Sequence, residues 1–270
     1  MDQILRSAFA SALARALRFY SRLPIPPLPG ESGKAEGLDF AATALAVPVA
    51  GAVIGALAAV LLWLAHGLGL DPAGAVVAAI ACGVIATGAL HEDGIADLAD
   101  GVFADATVER RLEIMRDPRH GSFGVLALIL VMLARFALLG EIATDSTRAA
   151  MMALVGAAAL SRAASLMPLA LLWPARRDGA GAAAGRLPAE SFGRAAMLGC
   201  ALLLVFALIG GFGVPRGVLA CLAGLAACYG LCVLAKARIG GQTGDVAGGA
   251  QIVAEIAILA ALAMGGPLLR

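Results

Sequence analysis

From Phe40 onward the chain is a series of long apolar runs broken by short polar intervals, and the length of the runs is the first signal. A helix needs about 20 predominantly apolar residues to cross the hydrocarbon core of a bilayer. Runs that meet or approach that length lie near 40–66, 73–90, 122–140, 149–173, 195–213, 216–235 and 250–269, which predicts seven spans. The second and fifth are short, as a tilted or partly re-entrant element would be. Recurrent Gly and Ala suit close helix packing in lipid, where small residues let backbones approach. Ahead of these runs, Leu5, Phe9, Leu13, Leu17 and Tyr20 recur at near-helical spacing, with Arg6, Arg15, Arg18 and Arg22 between them. That pattern predicts an amphipathic helix over residues 1–23, lying on an anionic membrane face. It has neither the continuous apolar core nor the small-residue cleavage site of a secretory signal, so it is expected to stay in the mature protein. Clustered prolines in SRLPIPPLPG end the helix, and a polar linker from Glu31 to Asp39 leads to the first span. The expected organisation is an interfacial helix and linker over 1–39, then one all-α transmembrane domain over 40–270. No internal repeat and no soluble second domain stand out.

Composition supports the same class. The chain has 270 residues, 61% of them hydrophobic and 14% charged, and its mean hydropathy is +0.90; an ordinary soluble domain is about half apolar. A net charge of +1 provides no basic field for nucleic acid. Where the Lys and Arg lie is more informative, because short loops rich in them stay cytoplasmic. With the N-terminus inside, Arg6, Arg15, Arg18, Arg22, Lys34, Arg110, Arg111, Arg116, Arg119, Arg176, Arg177, Arg186, Arg194, Lys236 and Arg238 are cytoplasmic. Arg148, Arg216 and Arg270 fall outside. The asymmetry supports an odd number of spans, with the C-terminus outside. Cys82, Cys200, Cys221, Cys228 and Cys232 all sit in apolar segments without a metal-type or disulfide spacing, so they read as small packing residues.

The chemistry concentrates in Ala89 to Gly124, ALHEDGIADLADGVFADATVERRLEIMRDPRHGSFG. Asp93, Asp97 and Asp100 are spaced i, i+4, i+7, which puts all three carboxylates on one face of a helix. Clustered like charges beside a membrane-length segment are costly, and a divalent cation preferring oxygen ligands, such as Mg2+, would neutralise them. The alternative is an acidic helix start, in which Asp93 satisfies free N–H groups. Thr107 is placed to cap a second helix, VERRLEIMRD, ending at Pro118. Arg110 and Arg111 read as positive-inside residues, whereas Arg116 and Arg119 flank Asp117 beside the proposed metal site. His91 could serve as a base, an orienter or a structural donor, and His120 likewise; His66 reads as structural.

A second informative loop, ARIGGQTGDVAGGAQIVAE, carries Gly240, Gly241 and Gly244, which free the backbone to approach an anion, and Asp245 at a helix start. By itself such a turn is a weak phosphate signal. Inside the predicted spans, Glu255, Arg135 and Arg162 each need a cavity or a partner. Arg162 could pair with a buried carboxylate or fork onto phosphate.

HEDGIADLADG, RLEIMRDPRHGSFG, the Ser161–Arg162 pair and GGQTGD with Glu255 downstream resemble the cobalamin synthase family, the adenosylcobinamide-GDP ribazoletransferases. FYSRLPIPP at residues 19–27 resembles that family's start, so the likeness runs over nearly the whole chain. Pro118 departs from the Ser expected there, and no role is carried over to it. The resemblance implies transfer of cobinamide phosphate from adenosylcobinamide-GDP to α-ribazole or its 5′-phosphate, with release of GMP. It also implies a multi-pass enzyme of the bacterial inner membrane, its site facing the cytoplasm. In that reading Asp93, Asp97, Asp100 and Asp245 hold magnesium. Asp93, Asp97 and His91 are the catalytic candidates, and Arg116, Arg119, Arg162, Gly241, Thr243 and Gly244 the phosphate contacts. Partners beyond the two substrates and membrane lipid are left open, among them other late cobamide-assembly enzymes and a second copy of the chain. A CDP-alcohol phosphatidyltransferase would use the same metal logic but lacks its motif here. A transporter would spread charge along both membrane halves, whereas here it gathers at one.

Overall fold

The computed structural model describes residues 2–28 and 39–265, with side chains from Ala8 onward. The expectations for Lys34 and the rest of the 31–38 linker, and for Arg270, fall outside the described residues, as do those for the side chains of Leu5 and Arg6. The described chain is helical: α1 (Asp2–Tyr20), α2 (Phe40–Gly67), α3 (Pro72–Thr87), α4 (Leu90–Phe103), α5 (Val108–Ile114), α6 (Ser122–Asp145), α7 (Thr147–Leu171), α8 (Ala180–Ala184), α9 (Ala189–Gly210), α10 (Gly213–Ile239) and α11 (Gly244–Ala263). Among the described residues there is no strand, only one bridge between Pro174 and Gln242.

Six helices, α2, α6, α7, α9, α10 and α11, are long and apolar enough to cross a membrane. The shorter α3 forms a bent pair with α4, which makes a seventh crossing if the pair counts as one span. The run expected to span 73–90 ends early, at Thr87, where the chain bends by 86° into α4. Gly88 (φ 64°) and Ala89 (φ 57°) make the bend in the left-handed region. A glycine adopts that conformation freely, but an alanine does so at a cost. The last span begins six residues earlier than expected, at Gly244 rather than 250, because Thr243 caps it: its Oγ1 accepts from Val246 N–H at 3.2 Å.

The centre of the bundle is α7, whose span is 89% buried, whereas α6 and α9 turn most of their surface outward at 22% and 28% buried. That division is what lipid selects: small residues pack inside and large aliphatic ones face the hydrocarbon. At one end, Leu68 to Asp71, Ser146 and Gly211 to Phe212 make tight connections. The opposite end gathers α1, α4, α5, α8 and the 240–243 turn. In α1 the predicted apolar stripe is split. Leu17 and Tyr20 are buried against Val47, Ile54, Leu166 and Leu169 of α2 and α7, while Phe9 stays exposed. The end of this helix is thus docked on the bundle while Phe9 and Phe19 stay exposed, which is compatible with an interfacial helix.

Candidate active site

At the polar end α4 lies crosswise over the start of α11, and two glycines permit the contact. A Cβ on Gly94 would stand 3.2 Å from the Asp245 carbonyl oxygen and from Gly248 Cα, and one on Gly248 would meet Gly94 Cα at 3.4 Å. The far end of α4 is held by cations. Arg111 Nη1 and Arg238 Nε both donate to the Val102 carbonyl, at 2.8 and 3.0 Å, and Arg111 Nε donates to Ala106 at 2.8 Å. Positive charge at a helix C-terminus also complements its dipole. Arg111, read from sequence as a positive-inside residue, therefore has a structural task.

With α4 seated this way, its acidic side chains part company. Asp93 is exposed at the head of the helix and Asp97 is half-buried one turn on. Asp245, in the first turn of α11, completes the group. Electrostatic interaction links Asp97 to Asp93 and Asp245, and Asp245 to Asp93. Asp100 differs. It is buried, and its Oδ1 and Oδ2 accept from the N–H groups of Gly124 (2.8 Å) and Gly121 (2.7 Å), capping the start of α6. The i+7 position thus rotates a third carboxylate onto the same side but delivers it to backbone donors. Among the described residues no three His, Cys, Asp or Glu side chains form a closed ligand set. The donor chemistry of Asp93, Asp97 and Asp245 nonetheless fits a hard divalent cation: oxygen ligands only, and like charges in need of a counter-ion.

The neighbouring cations sort themselves equally clearly. Arg176 Nη2 lies 3.5 Å from Asp245 Oδ2, and its Nε and Nη1 are buried without a hydrogen bond among the described residues. Arg116 pairs with Asp178, both half-exposed, and acts electrostatically on Asp245. His120 Nδ1 is 3.6 Å from Asp97 Oδ1. Arg176 was missed as a site residue because ARRDG in a small-residue loop looks like any positive-inside pair. Its open donors suit phosphate oxygens. Arg176→Ala is expected to lower kcat/KM for a diphosphate substrate about 10- to 100-fold, the size of a lost charged hydrogen bond, while the adjacent exposed Arg177→Ala changes it little.

Two expected phosphate contacts have partners within the chain. Arg119 forks onto Asp117 at 2.7 and 2.9 Å with its side chain 86% exposed. Those hydrogen bonds hold the Asp117 carboxyl well below its ordinary range. Arg162 is buried and turns into the bundle, where Nη1 donates to the Ala158 carbonyl at 3.2 Å. The carboxylates of Glu92 and Glu255 attract it there. In the 240–245 turn, Gly241 packs on the Trp173 carbonyl, which leaves no room for a side chain. Thr243 Oγ1 donates to Asp245 Oδ2 at 3.1 Å, and Gly244 borders a cleft shared with Asp93.

His91 is buried beneath α4, its ring flat on that of Tyr20 at 5.8 Å and 5°. Its Nε2 makes no hydrogen bond among the described residues. Burial pushes the Tyr20 hydroxyl, which shares a hydrogen bond with Ser165, up to about 12. Below lies a cavity of about 60 Å³ in which His91, Glu92, Arg135, Arg162, Gln251 and Glu255 meet a largely apolar wall. Arg135 binds Glu92 at 2.5 Å and Glu255 at 2.8 and 3.1 Å. Gln251 joins Glu255 to Ser161 at 2.7 and 2.9 Å. Glu92 was overlooked because its neighbour Asp93 carries the motif. On a helix lying flat, one residue's rotation of about 100° sends Asp93 outward and Glu92 inward.

Comparison with known proteins accords with this arrangement. A family model described as cobalamin-5-phosphate synthase matches residues 12–263. The adenosylcobinamide-GDP ribazoletransferase of Azorhizobium caulinodans is 47% identical over 94% of this chain and 95% of its own. The protein of that name from Xanthobacter autotrophicus is 46% identical over 93% and 94%, and that from Mesorhizobium japonicum 41% over 92% and 90%. No solved structure matches. A polytopic bundle with an acidic polar end, similar to these relatives over more than nine-tenths of its length, the chain belongs to the cobalamin-5-phosphate synthase family.

Proposed function

We propose that the polar end of the bundle is where the family's reaction takes place: cobinamide phosphate passes from adenosylcobinamide-GDP to α-ribazole or its 5′-phosphate, and GMP leaves. The observation that carries this reading is the convergence of Asp93, Asp97 and Asp245 with the unsatisfied guanidinium of Arg176. In the transfer, a ribose hydroxyl of the acceptor forms a P–O bond to the cobinamide-bearing phosphorus as the bond to the GMP phosphate breaks. Arg176 and Arg116 bind the diphosphate oxygens, and Arg116 exchanges its exposed Asp178 partner for them. A carboxylate of the cluster takes the hydroxyl proton, with His91 the other acceptor in the same wall. Magnesium held by Asp93, Asp97 and Asp245 would supply charge neutralisation on the diphosphate. The basic residues of the same end, among them Arg22, Arg177 and Lys236, support a cytoplasmic site by the positive-inside rule, with the bundle proposed to lie in the bacterial inner membrane.

The direct test is GMP release by purified, reconstituted protein given adenosylcobinamide-GDP and α-ribazole. Chelation of divalent ions is expected to abolish release, and Mg2+ or Mn2+ to restore it, because carboxylates discriminate weakly between these ions. Release that persists through chelation would remove the metal from the reading. Folded protein inert with both substrates would remove the transfer itself.

A further inference from the structure

The acidic cluster has unlike neighbours. Arg176 and Arg116 act on Asp245. Beside Asp93 and Asp245 opens a cleft of about 300 Å³ between the end of α1, the start of α2, the end of α7 and α8, and neither arginine lines it. Asp93 and Asp245 border it, while most of its wall is apolar, including Phe19, Phe40, Leu169 and Ala184. The rings are fixed against one another. Phe19 meets Tyr20 edge-on at 4.9 Å and Phe40 edge-on at 5.4 Å. Two polar atoms of residues in the wall make no hydrogen bond among the described residues: Nε2 of His91, and Oε1 of the fully buried Gln242, whose Nε2 donates to the Gly181 and Gly185 carbonyls at 2.9 and 3.3 Å.

We propose that this cleft holds the heteroaromatic base of the ribazole acceptor. The inference rests on the ribazoletransferase reading and specifies which substrate lies where. Size is the first argument. A cleft of about 300 Å³ is at the lower end of small-ligand sites, about 300 to 1,000 Å³, so it takes a bicyclic base and is far too small for a corrin macrocycle. Polarity is the second. Guanine would set an exocyclic amine and a carbonyl against Phe, Leu and Ala, and each buried polar group left unpaired costs about 1–3 kcal/mol. A benzimidazole-type ring offers mainly C–H edges and π faces, which edge-to-face aromatic walls accommodate. The third argument is direction. A sugar attached to a base in this cleft emerges beside Asp93 and Asp245, which border it.

The test is two-substrate kinetics on the full-length protein in nanodiscs, with Ala183→Trp, which fills the cleft from an exposed position of α8, and Phe40→Leu, which removes an aromatic wall. Each is expected to raise KM for α-ribazole, Ala183→Trp by about tenfold or more, equivalent to ~1.4 kcal/mol, with KM for adenosylcobinamide-GDP nearly unmoved. Free benzimidazole is expected to inhibit competitively against α-ribazole in wild type and weakly in the variants. A rise confined to adenosylcobinamide-GDP, an unmoved acceptor KM in both variants, or inhibition that follows the lipid added to the disc overturns the assignment. Wild type that turns over neither substrate sinks the transferase reading instead.

Discussion

Asp93→Asn is expected to release GMP about a thousandfold more slowly than wild type, a loss of ~4 kcal/mol in transition-state stabilisation. The substitution keeps the size of the side chain and removes one charge from a group of three. Asp93 is exposed, at the head of α4, and none of the observed backbone caps depends on it, so the unfolding midpoint should stay within a degree or two of wild type. The contrast with Asp100→Asn separates chemistry from architecture. There an amide nitrogen would replace one of two acceptors and face one N–H donor, that of Gly121 or of Gly124, at the start of α6. The expected cost is ~1 kcal/mol of stability, typical of a lost helix cap, with a smaller effect on turnover than that of Asp93→Asn. Asp117→Asn, in an exposed pair with Arg119, should leave both quantities nearly unchanged. The measurements are single-turnover GMP release and thermal unfolding on the same preparations. An Asp93→Asn enzyme within tenfold of wild type would show that the acidic helix face is not where the phosphoryl group is transferred.

That contrast marks how far residue spacing can be read. Periodicity correctly places Asp93, Asp97 and Asp100 along one side of a helix, but what that side meets depends on where α4 lies. The direction of α4 is fixed by a left-handed alanine at position 89 and a glycine-to-glycine crossing with α11, 154 residues further on for Gly248 against Gly94. Neither is visible in a local pattern. The spans were legible because the bilayer sets a length, and errors concentrate where a polar cap joins an apolar helix, as Thr243 does for α11. The site's cations were less so. Arg116, Arg119, Arg162 and Arg176 are alike in sequence, and their partners distinguish them. Arg119 pairs locally with Asp117, while tertiary contacts set the others: intramembrane carboxylates draw Arg162 inward, and Arg176 is left with open donors beside Asp245.

Arg135→Leu should be the most destabilising single change at the membrane-buried charges. Arg135 is held between Glu92 on α4 and Glu255 on α11, with about 8% of its side chain exposed and those of its partners 7% and 15%. Its removal leaves two carboxylates facing one another across a cavity of about 60 Å³, with Arg162 the remaining cation in the wall. Losing one member of a buried ion pair costs about 3–5 kcal/mol, a large share of the roughly 5–15 kcal/mol that holds a typical domain folded. Low yield, early unfolding in detergent and loss of a monodisperse elution peak are the expected readouts. Because a misfolded variant alone would say little, the argument turns on rescue. Combining Arg135→Leu with Glu92→Gln and Glu255→Gln removes all three charges, and replacing a whole buried charged group is far less costly than breaking it. The triple variant should therefore recover most of the lost stability, giving a coupling energy of at least ~2 kcal/mol, well above the additive error of distant sites. It should recover less of the activity, since Glu92 and His91 are adjacent on α4 and the triad ties that helix to α6 and α11. A triple variant as unstable as Arg135→Leu alone would mean that the guanidinium acts through packing and not through its charge.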